Sequence, residues 1–199
     1  MDKKDVKVVK NGDQAVKRDI KVVNIVVSSS LGHDIPLEKM AATLSNTEYN
    51  PEQFPGLVIR IKEPKTSALI FSSGKIVCTG ARSMDKVEES VQKIIKSLEK
   101  IGIKIEKKPE LKIQNIVASG SVGMDLNLNT LAMKLDNTEY EPEQFPGLVY
   151  KLAEAKATFL LFSNGKVVCT GTKSEEAVHN ALDKLIENLK KIKFEKKIK

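Results

Sequence analysis

The chain has 199 residues, 41% of them apolar and 30% charged, which allows one large domain or two of about 100 residues and excludes wholesale disorder. No apolar run approaches the roughly 18 residues that span a bilayer, and the charged start Met1-Asp2-Lys3-Lys4-Asp5 reads as neither a secretory signal nor an anchor. Two cysteines read as too few for a disulfide framework or a four-ligand zinc site and fit a reduced, cytosolic chain. His33 and His179 have no Cys or His at ligand spacing. The net charge of +7 invites a polyanion partner, but its distribution weakens that argument. Residues 1–20 and 21–103 each carry +2, 104–111 carry +1, 112–194 are neutral and 195–199 carry +2. Contact with a polyanion by the two large blocks must therefore come from local patches.

The organising feature is an internal repeat. Asn24, Phe54, Phe71 and Cys78 return as Asn115, Phe145, Phe162 and Cys169, always 91 residues later. The register runs without a gap from Lys21/Lys112 to Ile101/Ile192, and close to half of the aligned positions are identical. NTEYNPEQFPGLV returns with one change, Asn50 to Glu141. Two copies are too few for a solenoid, so two half-domains about a pseudo-two-fold axis are expected. The division is a polar arm over 1–19 whose composition allows disorder, a first repeat over 20–103, a connector over 104–111, a second repeat over 112–194 and a basic tail over 195–199.

Within a repeat, residues 20–27 are β-branched and read as a strand. Asp34 is a plausible N-cap for a helix that carries Pro36 near its first turn and Leu37, Met40, Ala41 and Leu44 at helical spacing. Asn50-Pro51 and Phe54-Pro55-Gly56 break the chain, and strands follow at 57–61, 67–71 and 75–79. Ser163-Asn164-Gly165-Lys166 predicts a type I′ hairpin turn in the second copy. A long amphipathic helix closes each copy. Ser83 starts the first, with Val87, Val91, Ile94, Ile95 and Leu98 as its stripe and Gly102 at its C-terminal cap. Ser174 starts the second, with Val178, Leu182, Leu185, Ile186 and Leu189.

The strands are apolar on both faces. Val23, Ile25 and Val27 back onto Val22, Asn24 and Val26; Ile76 and Cys78 back onto Lys75, Val77 and Thr79; Ala68 and Ile70 back onto Leu69 and Phe71. Helices cover only one face of such a sheet, which leaves an apolar surface of the kind that marks a binding site. In isolation the four repeated phenylalanines read as core aromatics. Cys78 and Cys169 read as small buried residues, and Glu139, Glu141 and Glu143 as an acidic interaction surface rather than an acid/base set.

The double repeat, Asn-Ile-Val on the first strand, EYxPEQFPGLV, and the hairpins FSSGKIVCTG and FSNGKVVCTG together resemble the TATA-box-binding protein family over about 20–194. Close agreement between the copies, and Pro-Gly after the first-copy phenylalanine, resemble its archaeal type. The resemblance implies an α+β fold: one curved, ten-stranded antiparallel sheet shaped like a saddle, with helices on the convex face. It implies a general transcription initiation factor that binds the minor groove of A·T-rich promoter DNA in the cytoplasm of a cell without a nucleus. Asn24, Val26, Leu69, Val77, Thr79, Asn115, Val117, Leu160, Val168 and Thr170 match its base-contacting and groove-floor positions. Phe54 with Phe71, and Phe145 with Phe162, match wedge pairs that kink the duplex. Arg60, Lys75, Lys151 and Lys166 match phosphate contacts. Glu141, Glu143 and Gln144 match the loop that meets a transcription factor B-type partner, which in turn brings RNA polymerase. No catalysis, cofactor, metal or membrane contact is implied. Two other readings stand beside it. One is an interaction module whose apolar face docks another chain or forms a homodimer. The other is an enzyme on a related duplicated sheet, for which no segment remains to supply a catalytic module.

Overall fold

A computed structural model describes residues 19–194. The expected arm, apart from Asp19, and the expected tail lie outside the described residues. The first copy runs β1 (Asp19–Ser30), α1 (Leu37–Thr43), β2 (Thr47–Glu48), β3 (Gly56–Ile61), β4 (Thr66–Phe71), β5 (Lys75–Ala81) and α2 (Met84–Lys100). The second runs β6 (Lys112–Ser121), α3 (Leu128–Lys134), β7 (Thr138–Glu139), β8 (Leu148–Leu152), a 3-10 turn (Ala153–Ala155), β9 (Ala157–Leu161), β10 (Lys166–Thr172) and α4 (Glu175–Phe194). The hydrogen-bonded order is β2-β3-β4-β5-β1-β6-β10-β9-β8-β7, a ten-stranded sheet. The described residues form two compact units, 22–116 in one and 19–21 with 117–194 in the other, with boundaries inside β1 and β6.

In the first copy the β3-β4-β5 ladder is antiparallel, with Val58 opposite Leu69 and Leu69 opposite Val77. Burial alternates along each strand. Leu57, Ile59, Ala68, Ile70, Ile76 and Cys78 are buried together with Val87, Val91, Ile94 and Leu98 of α2. That core is what the helical stripe predicts. The second copy repeats it with Leu148, Phe159, Leu161, Val167 and Cys169 against Val178, Leu182, Leu185 and Leu189 of α4. Each such side chain contributes about 1.5–3 kcal/mol on burial.

Several local expectations meet the structure directly. Gly102 ends α2 at φ +85, with its N–H donating to the Glu99 carbonyl and that of Ile103 to Leu98, both at 3.0 Å. This is a paired C-terminal cap. Asp34 is not the N-cap of α1: Pro36 holds that position, and no side chain caps it. In the second copy Asn127 does cap, accepting from the Thr130 N–H. The hairpin turn also differs from the type I′ expectation. Gly165 alone takes positive φ (+76), and Asn164 accepts from the Lys166 N–H through its side chain. Gly165 N–H donates to the Phe162 carbonyl, so the turn is an ordinary one closed by a left-handed glycine. A Cβ at Gly165 would lie 2.2 Å from the Met124 carbonyl oxygen, which explains why glycine stands there.

The copies differ inside their cores. Thr66 and Ser90 share a buried hydroxyl contact at 2.8 Å, and Ser90 donates onward to the Lys86 carbonyl. Their second-copy equivalents are Ala157 and Ala181. Thr172 is 3% exposed and its hydroxyl has no hydrogen-bond partner, whereas Ala81 stands at the matching place. An unsatisfied buried hydroxyl costs about 1–3 kcal/mol. Thr172→Val is therefore expected to stabilise the protein by about 1 kcal/mol in denaturant unfolding; a loss of stability would show that the hydroxyl is satisfied in solution.

Candidate nucleic-acid interface

The face of the sheet away from the long helices is built from the alternate residues of the same strands. In the first copy, one row across it reads Val58, Leu69 and Val77; the next reads Arg60, Ser67 and Thr79. In the second copy the rows are Val149, Leu160 and Val168, then Lys151, Thr158 and Thr170. Asn24, Val26, Leu69, Val77 and Thr79 are all half-buried, as are Asn115, Val117, Leu160, Val168 and Thr170. Their strand neighbours on the helix side are almost all buried. Each copy thus keeps a surface that is apolar, ordered and uncovered among the described residues. Sequence reasoning left out Val58, Ser67, Val149 and Thr158, although the period of two along β3 and β8 carries the signal.

The Asn24 amide is held in one orientation. Its Oδ1 accepts from the Gly80 N–H at 2.7 Å, and a backbone N–H only donates, so the oxygen must face Gly80. The Nδ2 lies 3.1 Å from the Thr79 hydroxyl. One amide hydrogen remains on Nδ2, a donor set among apolar neighbours.

At one edge of each copy sits a pair of rings. Phe54 and Phe71 meet edge to face, with centroids 5.9 Å apart and planes at 62°. Phe145 and Phe162 repeat the arrangement at 6.0 Å and 69°. Phe54 and Phe145 are 42% and 41% exposed, and Phe71 and Phe162 are half-buried. None of the four belongs to the core, in line with the double-sided strands and the repeat, which reverse the reading of these rings as core aromatics in isolation. The preceding loops form tight turns. Gln53 and Phe54 N–H groups donate to the Asn50 carbonyl, and those of Gln144 and Phe145 to Glu141. Glu141, Glu143 and Gln144 are exposed.

All four expected phosphate contacts, Arg60, Lys75, Lys151 and Lys166, are exposed. Two of them already hold a carboxylate, which the sequence did not reveal. Arg60 donates from Nε and Nη2 to both oxygens of Glu48 at 3.1 Å, and Lys151 contacts Glu139 at 2.5 Å. Glu48 and Glu139 stand opposite Val58 and Val149, on the same face. The Arg60 guanidinium holds the Glu48 carboxyl below its ordinary value, chiefly by hydrogen bonding. Burial pushes the thiols of Cys78 and Cys169 up to about 11. Thiolate is then scarce near neutrality, which fits packing and not reactivity. Among the described residues, no cluster of three His, Cys, Asp or Glu side chains could hold a metal ion. No helix there is long and apolar enough to cross a membrane.

A duplicated α+β unit with an uncovered apolar sheet face and paired exposed aromatics defines a class of sheet-surface binding proteins. The family model described as transcription factor TFIID, or TATA-binding protein, matches residues 19–101 and 110–192. The chain is 51% identical over 174 residues to the TATA-box-binding protein of Methanocaldococcus jannaschii, covering 87% of this chain and 95% of that one. It is 49% identical over 173 residues to the Archaeoglobus fulgidus protein of the same name, covering 86% and 94%. A solved structure, Methanococcus jannaschii TBP, superposes with a TM-score of 0.82 at 51% identity, covering 87% of this chain and 99% of that one. The chain belongs to the TATA-binding protein family. The archaeal type expected from the repeat agrees with the organisms of these relatives.

The Glu48–Arg60 pair is exposed, so it contributes little stability. Its carboxyl has a depressed folded-state value, so the ion pair is present near neutrality and is lost as pH falls through that value. Carboxyl NMR titration of Arg60→Ala is expected to move Glu48 up towards 4.5; an unmoved Glu48 would mean that the pair does not persist in solution.

Proposed function

We propose that this chain is a transcription initiation factor that binds A·T-rich TATA-type promoter DNA through the minor groove and bends it. The observation that carries this reading is the pair of uncovered sheet faces, each edged by an exposed ring and a half-buried one in edge-to-face contact. A minor groove presents A·T acceptors on its floor, and guanine adds an amino group there. Val26, Leu69 and Val77, with Val117, Leu160 and Val168, would press on that floor, where a guanine amino group would be left unpaired. Asn24 and Asn115 would bond to adenine N3 and thymine O2, and Thr79 and Thr170 would flank them. The donor left on Asn24 Nδ2 suits this role.

The rings would enter a base step at either end of the site. A phenylalanine has about 200 Å² to bury. With 42% and 41% still exposed, Phe54 and Phe145 each have about 80 Å² left, which is about 2 kcal/mol on burial. Unstacking a step costs a few kcal/mol, so the wedges alone do no more than offset it. The net gain must come from the wider apolar contact that a bent duplex permits. Flexible pyrimidine–purine steps such as TA lower the deformation cost and would be preferred.

Lys75 and Lys166 would meet phosphates directly. Arg60 and Lys151 would exchange a carboxylate for a phosphate, which further limits the electrostatic share of binding. The exposed acidic loop of Glu141, Glu143 and Gln144 would receive a transcription factor B-type partner and, through it, RNA polymerase. Asn50 makes the first-copy loop less acidic, an asymmetry that the partner would use to set direction on a near-palindromic site.

Phe145→Ala and Phe162→Ala are each expected to weaken binding to an A·T duplex by about tenfold and to reduce bending in a fluorescence-transfer assay; unchanged bending would remove the wedge role. Affinity should fall with rising salt on a modest slope, and a salt-independent Kd would contradict the phosphate contacts. A homodimer through the same face is the competing reading. Sedimentation with and without the duplex separates the two, since a dimer that DNA does not dissociate would favour the latter.

A further inference from the structure

The two glycines after the Phe-Pro dipeptides have no backbone reason to be glycine. Gly56 and Gly147 are absent from the positive-φ residues, unlike Gly74, Gly80, Gly165 and Gly171. A Cβ built on Gly56 would lie 2.6 Å from Phe54 Cε1 and 3.2 Å from Phe71 Cε1. On Gly147 it would lie 2.6 Å from Phe145 Cε1 and 3.1 Å from Phe162 Cε1. The two copies agree within 0.1 Å, and all of the crowded atoms belong to the ring pairs. Both glycines are buried although Pro55 and Pro146 beside them are exposed. Gly56 also stands opposite Phe71 in the β3-β4 ladder, so it lies beneath the junction of the two rings.

The local chain leaves the ring little other guidance. Pro55 and Pro146 restrict the preceding phenylalanines to extended backbone. The position of each leading ring is then set by its own side-chain torsions and by what it rests on. A bare backbone lets the ring fold back against its partner; a methyl group would lift it. Because the crowded atom is the far end of a side chain and not backbone, the strand can accept alanine while the ring cannot keep its place.

We infer that Gly56 and Gly147 are positioning residues for the DNA-bending aromatics, and that the bare surface they provide seats each ring pair before any duplex arrives. This rests on the wedge reading above and deepens it, since rings already paired leave less ordering to the binding step. The two glycines act through the ring pairs, and mostly through Phe54 and Phe145, whose Cε1 atoms a Cβ would crowd to 2.6 Å.

The test is a double-mutant cycle on the full chain with Gly147→Ala, Phe145→Ala and both together, using an A·T-rich duplex. In the free protein, contacts between the Phe145 and Phe162 ring protons should weaken in Gly147→Ala while Tm stays close to that of the parent. Affinity should fall about tenfold and bending should decrease. Adding Gly147→Ala to Phe145→Ala should cost much less than adding it to the parent, since only the looser contact with Phe162 remains. The inference is overturned if Gly147→Ala leaves the ring contacts and bending intact, or if its cost persists in full without the Phe145 ring. If Gly147→Ala alone does not fold, a folded double variant supports the inference and an unfolded one overturns it. Should Phe145→Ala itself leave bending unchanged, the wedge reading fails, and the ring contacts in the free protein still decide the role of the glycine.

Discussion

A strand that is apolar on both faces needs cover on both, and one layer of helices covers only one. That constraint governs the chain. Ile70, Ile76 and Cys78 lie under α2, while Leu69, Val77 and Phe71 on the same strands stay half-buried. The second copy divides Leu161, Val167 and Cys169 from Leu160, Val168 and Phe162 in the same way. Charge plays a smaller part, because each copy places only two of the expected cations on the surface and one of those is already neutralised.

Duplication lets the copies diverge where the paired surface is not at stake. Ring geometry agrees within 0.1 Å and 7°. The cores do not agree: Thr66 and Ser90 bond in one, and Thr172 carries an unsatisfied hydroxyl in the other. The ion pairs differ in kind. Arg60 grips Glu48 with two hydrogen bonds, while Lys151 meets Glu139 as a point charge. The copies thus diverge in the core and at the rim while each keeps the same ring geometry.

Much of this was legible in the sequence, because period-two alternation and a 91-residue offset survive without coordinates. The long helices, their stripes and the cap at Gly102 follow from local chemistry. What escaped depended on tertiary context. β2 and β7 are two residues long and exist only through pairing with β3 and β8, so no propensity reveals them. Asn164-Gly165 did not form the expected turn, because Asn164 spends its side chain on the Lys166 N–H and leaves positive φ to the glycine. Glu48 and Arg60 are twelve residues apart, and only the β2-β3 register brings them together. Gly56 and Gly147 looked like chain breakers; their contact with the rings appears only in three dimensions.

The central claim is that the uncovered sheet face is the DNA-contacting surface. Methyl NMR with a soluble paramagnetic probe reads this directly, free and with an A·T-rich duplex. Val26, Leu69 and Val77, with Val117, Leu160 and Val168, should be reached by the probe in the free protein and become protected on adding DNA, while Ile70 and Leu182 stay protected throughout. If the duplex leaves those six residues accessible and shields residues on the exposed sides of α2 or α4 instead, the account is wrong.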